Sequence, residues 1–583
     1  MTVEPRMTAG SRRTVGPRRG WAIGLIAAGV ACVIARWVWE AVDPLHFATV
    51  KSVLYGRDAL TLGPACLLML VGVSRMRPRS VRASDRSARM VVVGAALLTT
   101  LGAYVLSRFV LLGIPHVVDE AAYLWQAQLI TEGHLTITLP PQVAEMTGVQ
   151  YVADVNGRRM SAFFPGSALP LALGHWVGAT ALINPLLAGL LVLVTYWSGR
   201  RLFDKRTAIC GAALFAVSPF LLFQGAGYFS HVWTALLVVP AVTMALNERR
   251  RWEPVLVGAL VGCALFSRPV SALAAAAVVG TVWLVPGRYL SKVDRAVSQW
   301  AGVRRVALAI GGGVAPLVAF LAYNDSLAGQ WWRTPHRRLL PDETASFGLH
   351  AVKNIGINLA GLSVDLTGLV LVSVAVLGLA LSRRSPVVLT VIGYAVIQLI
   401  AYSVYYNNGV SYGPRYLFEP AALLVLVIAN EITSSKRLEG RALHVITVAA
   451  ALAIGGVLPG RVAVFHSRAE YLDLSAVERQ IDRTPALVFV TAGRYQFPDT
   501  FYPAFVANGP DPAKRAVTYV RDVAGQRCRS MAAFPGRTAY LAQPEGLDSA
   551  GSETAGSGGQ DRDSPASKPF QMELNRCDTA YKP

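Results

Sequence analysis

The sequence predicts an all-α polytopic membrane protein of about thirteen transmembrane helices, with a small extracytoplasmic α/β domain at the C-terminal end. Three observations carry that reading. Hydrophobic residues make up 53% of the 583 residues and charged residues only 15%. A soluble protein carries about 25% charged residues, so too little polar surface remains here to cover a water-soluble globule of this size. The hydrophobic residues gather in runs close to the ~20 residues that cross a bilayer. The charge falls in short segments between the runs, and every second segment is basic.

The runs are centred, in order, in 21–39, 59–74, 90–112, 184–199, 207–223, 230–246, 254–266, 269–286, 306–323, 365–382, 386–404, 415–430 and 441–458. The first is long, holds Arg36 and is followed by no small-residue cleavage site, so it reads as a span and not as a signal peptide. The stretch 166–183 is also apolar, but Gly166, Pro170, Gly174 and His175 interrupt it. Counting it as a span would carry Arg200, Arg201, Lys205 and Arg206 across the membrane. It reads instead as an interfacial or re-entrant helix on the outer face.

Lys and Arg collect on the cytoplasmic side of membrane proteins. With the N-terminus inside, the inner segments 1–20, 75–89, 200–206, 247–253, 287–305, 383–384 and 431–441 together account for the whole net charge of +20, while the outer segments 40–58 and 113–165 are both net negative. The charge therefore forms no single basic face, which excludes nucleic acid as a partner. The expected organisation is a cytoplasmic basic tail over 1–20, a membrane module over 21–458 and a small extracytoplasmic domain over 459–547. Short β-type runs at 486–491, 516–520 and 538–542 mark that domain. The final segment, 548–583, is rich in Ser, Gly and Asp near its start and reads as disordered. Cys32, Cys66, Cys210 and Cys263 lie in apolar runs and read as small buried hydrophobes. Cys528 and Cys577 share the oxidising side, where they either bridge or stay free. No Cys/His spacing suggests a zinc site.

The first long outer loop holds Asp119 and Glu120, just after Pro115-His116-Val117-Val118. Adjacent carboxylates at a membrane surface can act as a general base or hold a divalent cation with a phosphate. The plainer alternative is a solvated first turn of a helix, which favours acids. Arg268, in Ser267-Arg268-Pro269, and Arg415, in Gly413-Pro414-Arg415-Tyr416, lie at outer ends of spans. A cation there is costly unless it is paired or binds an anion, and arginine's planar fork suits a phosphate. The alternative is that each arginine snorkels to headgroups or pairs with a carboxylate such as Glu419.

Further elements occur in a fixed order: Asp119-Glu120-Ala121-Ala122-Tyr123, Phe164-Pro165-Gly166-Ser167-Ala168-Leu169-Pro170, Arg200-Arg201-Leu202-Phe203-Asp204, Ser218-Pro219, Ser267-Arg268-Pro269, Tyr323-Asn324 with Gly329, and Gly413-Pro414-Arg415-Tyr416. In these elements the chain from about 113 to 430 resembles the GT-C membrane glycosyltransferases of the protein O-mannosyltransferase and aminoarabinose-transferase type, the glycosyltransferase family 39 type. The resemblance implies a GT-C fold and an outer cavity that binds a polyprenyl-phosphate sugar donor. It further implies transfer of the sugar to an extracytoplasmic acceptor, which is a cell-envelope glycan, a lipid or a protein. By position, it implies Asp119 as the catalytic base, with Glu120 orienting it or sharing a divalent cation with it. It likewise implies Arg268 and Arg415 as donor-phosphate contacts and Tyr123, His231 and Tyr416 as candidates for substrate contact. No other cofactor is implied.

The chain departs from that family in three ways. Two spans precede the one leading into the acidic loop, where the family has one. Phe163-Phe164-Pro165-Gly166 stands where a double proline is common, and the Trp-Trp-Asp motif of oligosaccharyltransferases is absent, Trp331-Trp332-Arg333 not matching it. Two rival readings remain at this level. A transporter or lipid flippase predicts inverted repeats with polar groups at the midplane, and a non-catalytic envelope-assembly subunit predicts the fold without turnover.

Overall fold

The computed structural model describes residues 17–42, 50–76, 84–148, 151–285, 299–339, 348–369, 372–405, 407–435, 440–490, 502–523, 526–543 and 571–574. In a bilayer each backbone N–H and C=O must be satisfied within its own segment, so the apolar runs fold as helices. Helices α1 (Pro17–Val42) and α2 (Val50–Ser74) pack as a pair. Helix α3 (Asp85–Val105) closes in a π turn and leads into a connecting segment with α4 (Val118–Thr131), α5 (Pro141–Thr147) and the hairpin of β1 (Val152–Val155) and β2 (Arg158–Ser161). Then come α6 (Pro165–Trp176), α7 (Thr180–Leu202), α8 (Lys205–Ala216), α9 (Pro219–Ala226), α10 (His231–Leu246), α11 (Glu253–Leu265), α12 (Pro269–Leu284) and α13 (Gln299–Ala328). The helical part closes with α14 (Pro335–Leu339), α15 (Leu349–Asp365), α16 (Val372–Ser382), α17 (Pro386–Ser403), α18 (Phe418–Ser434), α19 (Ala442–Leu452) and α20 (Leu458–Leu472).

The protein is a mostly helical multi-pass membrane protein. Every one of the thirteen runs falls on helix, but length and composition support fewer full spans. Among the described residues seven helices are long and apolar enough to cross, or eight if the bent pair α8–α9 is one span, and Trp21–Ala35, α10, α11 and α12 are apolar but shorter. The run at 365–382 is divided: Asp365 closes α15, 366–369 are not helical, and α16 covers Val372–Ser382. The stretch at 166–183 is also divided. Its first part is the short α6, which packs on α4 with Ala168, Leu171 and Ala172 buried and leaves Leu169, Leu173 and Trp176 exposed.

The two ends of the helical bundle differ in chemistry. At one end the basic segments are tied by ion pairs: Lys205 to Asp85 at 2.7 Å, Arg201 to Glu253, Arg305 to Glu248 at 2.5 Å and Arg383 to Glu431 at 3.0 Å. Helices α10, α11, α17 and α18 run from there to the opposite end, where Arg268 and Arg415 lie beside α4. Helix α11 approaches α13 so closely that a Cβ on Gly258 or Gly312 would collide with the facing backbone, at Ala309 and Val255 respectively. Small residues permit that approach between apolar helices.

The last helix runs through a π turn at Ala453–Val457 on to Leu472, beyond the expected end at 458. After it, β3 (Ala486–Val490), β4 (Val517–Arg521), β5 (Thr538–Gln543) and β6 (Gln571–Leu574) form one sheet in the order β4-β3-β5-β6. The first three strands are parallel, and β6 is antiparallel to β5. Strand β6 lies within the segment 548–583. Its period-2 sequence Gln-Met-Glu-Leu pairs with β5, and the rest of that tail lies outside the described residues. Cys528 is disulfide-bonded, while Cys577 lies outside the described residues. Cys66 and Cys210 are buried as expected, but Cys263 is exposed on α11.

Strand residues point alternately to the two faces of a sheet, and here both faces are covered by the segment between α3 and α6. Val488, Val490, Tyr519 and Tyr540 pack with Trp125 and Leu129 of α4, while Leu487, Phe489, Val520 and Leu541 pack with Val143, Ala144 and Met146 of α5. That segment is itself pinned by Arg159, buried at its centre, which bonds Asp154 at 2.8 Å and the Thr147 hydroxyl at 2.9 Å.

Candidate active site

Asp119 and Glu120 occupy the first turn of α4, where acids offset the positive end of the helix dipole. Neighbours on a helix diverge by about 100°, and the two carboxylates part. Asp119 faces a cleft of about 240 Å³, whose wall includes Tyr123, Phe163, Arg268, Tyr402, Arg415 and Tyr416. Glu120 turns into the protein and is fully buried. Its Oε1 accepts from the Tyr228 backbone N–H at 2.7 Å, and its Oε2 accepts from the His116 N–H at 2.9 Å and the Tyr412 hydroxyl at 3.3 Å. Burial pushes this carboxyl up to about 7, against the downward pull of those three donors. Burial likewise holds His116 down at about 3, so its ring is neutral where Nε2 meets the Leu111 carbonyl at 3.1 Å.

Glu120 does not line the cleft that Asp119 faces. Among the described residues no group of three or more His, Cys, Asp or Glu side chains is arranged as a metal-ligand set. Glu120 instead fastens three chain segments that carry the cleft: the approach to α4, the 227–230 connection and the 410–414 turn. Gly227 makes this feasible, because a Cβ there would collide with Glu120.

Arg415 opens the short 3-10 turn Arg415–Leu417, just after a backbone that Tyr412 (φ 54°) and Gly413 (φ 97°) hold in the left-handed region. Such strain persists only where the surroundings impose it. Gln224 donates to the carbonyls of Ser411 at 3.0 Å and Tyr412 at 3.2 Å, and Asn358 of α15 donates to that of Asn408 at 2.8 Å. Thus held, Arg415 donates from Nη1 to Asp119 Oδ2 at 2.9 Å, and its guanidinium lies over the rings of Phe229 at 4.7 Å and Tyr416 at 5.4 Å.

Arg268 sits at the N-cap of α12, ahead of Pro269 at the first helical position. It donates to the Ser230 hydroxyl at 3.3 Å and the Tyr402 hydroxyl at 3.0 Å, and its Nε lies 3.1 Å from Glu419 Oε1. Glu419 is in turn bonded by His231 Nδ1 at 3.0 Å and by Gln398. Of the residues implied as substrate contacts, Tyr123 and Tyr416 line the cleft. Tyr123 packs against Phe163 at 4.7 Å, and Tyr416 stacks on Tyr402 at 4.3 Å. His231 does not line it. It is fully buried behind Arg268, where it supports Glu419.

No family model matches this chain, and no curated protein does. Among solved structures it is similar to ArnT from Cupriavidus metallidurans bound to undecaprenyl phosphate, at 13% identity and a TM-score of 0.49, covering 79% of this chain and 94% of that one. It is also similar to the oligosaccharyltransferase AglB from Archaeoglobus fulgidus in complex with an inhibitory peptide and a dolichol-phosphate, at 16% identity and a TM-score of 0.37, covering 67% and 58%. A third likeness is to the arabinofuranosyltransferase AftD from Mycobacteria, at 15% identity and a TM-score of 0.39, covering 72% and 30%. None of these likenesses assigns a reaction to this chain.

The cleft also contains residues that sequence reasoning missed. Tyr402 and Tyr405 end an apolar run, where tyrosines ordinarily mark the membrane interface, yet both line the cleft. Tyr151 and His336 come from separate segments of the chain and stack at 5.9 Å. No local motif marks them. The result is a cleft with two arginines and one carboxylate on one side and aromatic rings around them, able to hold an anion beside a proton acceptor.

Proposed function

We propose that this protein is a membrane glycosyltransferase that moves one sugar from a polyprenyl-phosphate donor to an extracytoplasmic glycan, lipid or protein. The observation that supports this best is the convergence of Arg268, Arg415 and Asp119 on one cleft, at the bundle end opposite the basic segments. In this reading the donor phosphate sits on the two arginine forks, at the depth where a lipid headgroup lies, and the prenyl chain follows the helices. Buried between aromatic rings, the guanidinium groups act in a poorly screened medium and stabilise the charge that grows on the departing phosphate. Asp119 takes the proton of the acceptor hydroxyl or amine as that atom attacks the anomeric carbon. The new bond forms opposite the breaking carbon–oxygen bond, polyprenyl phosphate leaves with the bonding electrons, and the configuration inverts.

The test is transfer by purified protein from a panel of labelled polyprenyl-phosphate pentoses and hexoses, with the donor chosen as the lipid-linked sugar that accumulates when the gene is deleted. Asp119→Asn keeps the volume and should lower turnover about 10²-fold to 10⁴-fold, the usual cost of losing a general base. Near-wild-type turnover by that variant would remove Asp119 from the mechanism.

A further inference from the structure

The two arginines of the cleft are neutralised in different ways. Arg268 is matched by Glu419, which is 0% exposed and locked by His231 and Gln398 between α10, α17 and α18. That counter-ion cannot leave without breaking a buried network. Arg415 is matched by Asp119, whose side chain is 17% exposed at the cleft and has no such network around it, while Arg415 itself is 5% exposed. The Nε of Arg415, like that of Arg268, is buried and makes no hydrogen bond, so neither fork is saturated and the two differ in how firmly the facing carboxylate is held. An anion entering the cleft therefore finds one arginine permanently compensated and one whose partner can be exchanged.

We infer that Asp119 and the donor phosphate compete for Arg415, so that the donor must be seated before Asp119 is free to take a proton from the acceptor. This rests on the donor-phosphate reading above. In the exchange the phosphate replaces the carboxylate on the guanidinium, and the freed carboxylate turns to the acceptor, whose proton it takes. Without donor, Asp119 Oδ2 is held by the Arg415 N–H at 2.9 Å, and the guanidinium weakens the carboxylate as a base towards a hydroxyl. An acceptor arriving first meets that weakened base, which favours the order donor then acceptor. The same competition lowers donor affinity below what the two arginines alone would give.

Saturable binding of polyprenyl phosphate to the detergent-purified full chain separates the possibilities. Removing the competing charge in Asp119→Asn should tighten binding roughly tenfold, the effect of a partly buried ion pair worth about 1.4 kcal/mol, even though turnover is lost. Asp119→Ser serves as a second variant, and both are first checked for wild-type elution and thermal midpoint. Arg415→Lys should weaken binding, and combining it with Asp119→Asn should abolish the gain, since no fork remains to be released. Unchanged or weaker binding by the Asp119 variants, with wild-type binding intact and Arg415→Lys impaired, overturns the competition while leaving the donor-phosphate reading in place. Absence of saturable binding in the wild type overturns that reading itself.

Discussion

At Glu120 two carboxylate oxygens meet three donors, and both oxygens accept a backbone N–H. An amide cannot do this, because its nitrogen would face one of those N–H groups and leave it buried without an acceptor, at a cost of about 1–3 kcal/mol. Glu120→Gln should therefore lower the thermal midpoint in detergent. The loss should also depend on pH. The folded carboxyl titrates at about 7, above its ordinary 4.5. Between those values the folded protein binds a proton that the unfolded chain has released, so the wild type loses stability as pH rises through the window, by at most about 3 kcal/mol. Glutamine does not titrate, and the gap between wild type and variant should be widest near pH 5 and narrow towards pH 8. A gap that stays constant across that range would mean that Glu120 does not titrate there.

At the scale of elements, α4 decides where Asp119 stands, and it is held from two sides. Towards the bundle it packs on α6. Towards the C-terminal sheet the buried Trp125 stacks on Phe505 at 6.1 Å, and Gln128 donates to the Val506 carbonyl at 3.2 Å. Trp125 lies six positions after Asp119 on the same helix, so loosening it should shift the carboxylate as well as destabilise the domain. Trp125→Ala should cost about 3–5 kcal/mol, the range for emptying an aromatic site in a core. It should lower the thermal midpoint and expose the 473–543 region to limited proteolysis. An unchanged midpoint and cleavage pattern would show that α4 does not depend on the sheet. The sequence marked the three parallel strands through their β-type runs but not their role. That α4 and α5 cover opposite faces of a sheet more than 300 positions further along the chain has no local signature.

Across the whole molecule, one end of the bundle carries ion-paired basic segments and the other carries the cleft and the sheet. By the positive-inside rule the basic end is expected in the cytoplasm and the cleft outside. Cysteine labelling of intact cells should then reach a cysteine introduced at Ser552 and spare one introduced at Ser80, and labelling of Ser80 without permeabilisation would reverse the orientation. The sequence by itself determined the helical membrane class, the positions of the apolar segments and the residues worth watching, because run length and loop charge are properties of the chain in one dimension. Composition does not show where a helix breaks, as one does at 366–369 between α15 and α16. Only the tertiary structure decided that Asp119 faces Arg415, 296 positions away, while its neighbour Glu120 turns inward. The tertiary structure also decided that Glu419 belongs to Arg268 and that His231 stands behind it. The direction of a side chain, and the charge it meets, are set by how distant helices pack, and neighbouring residues in the sequence do not encode that.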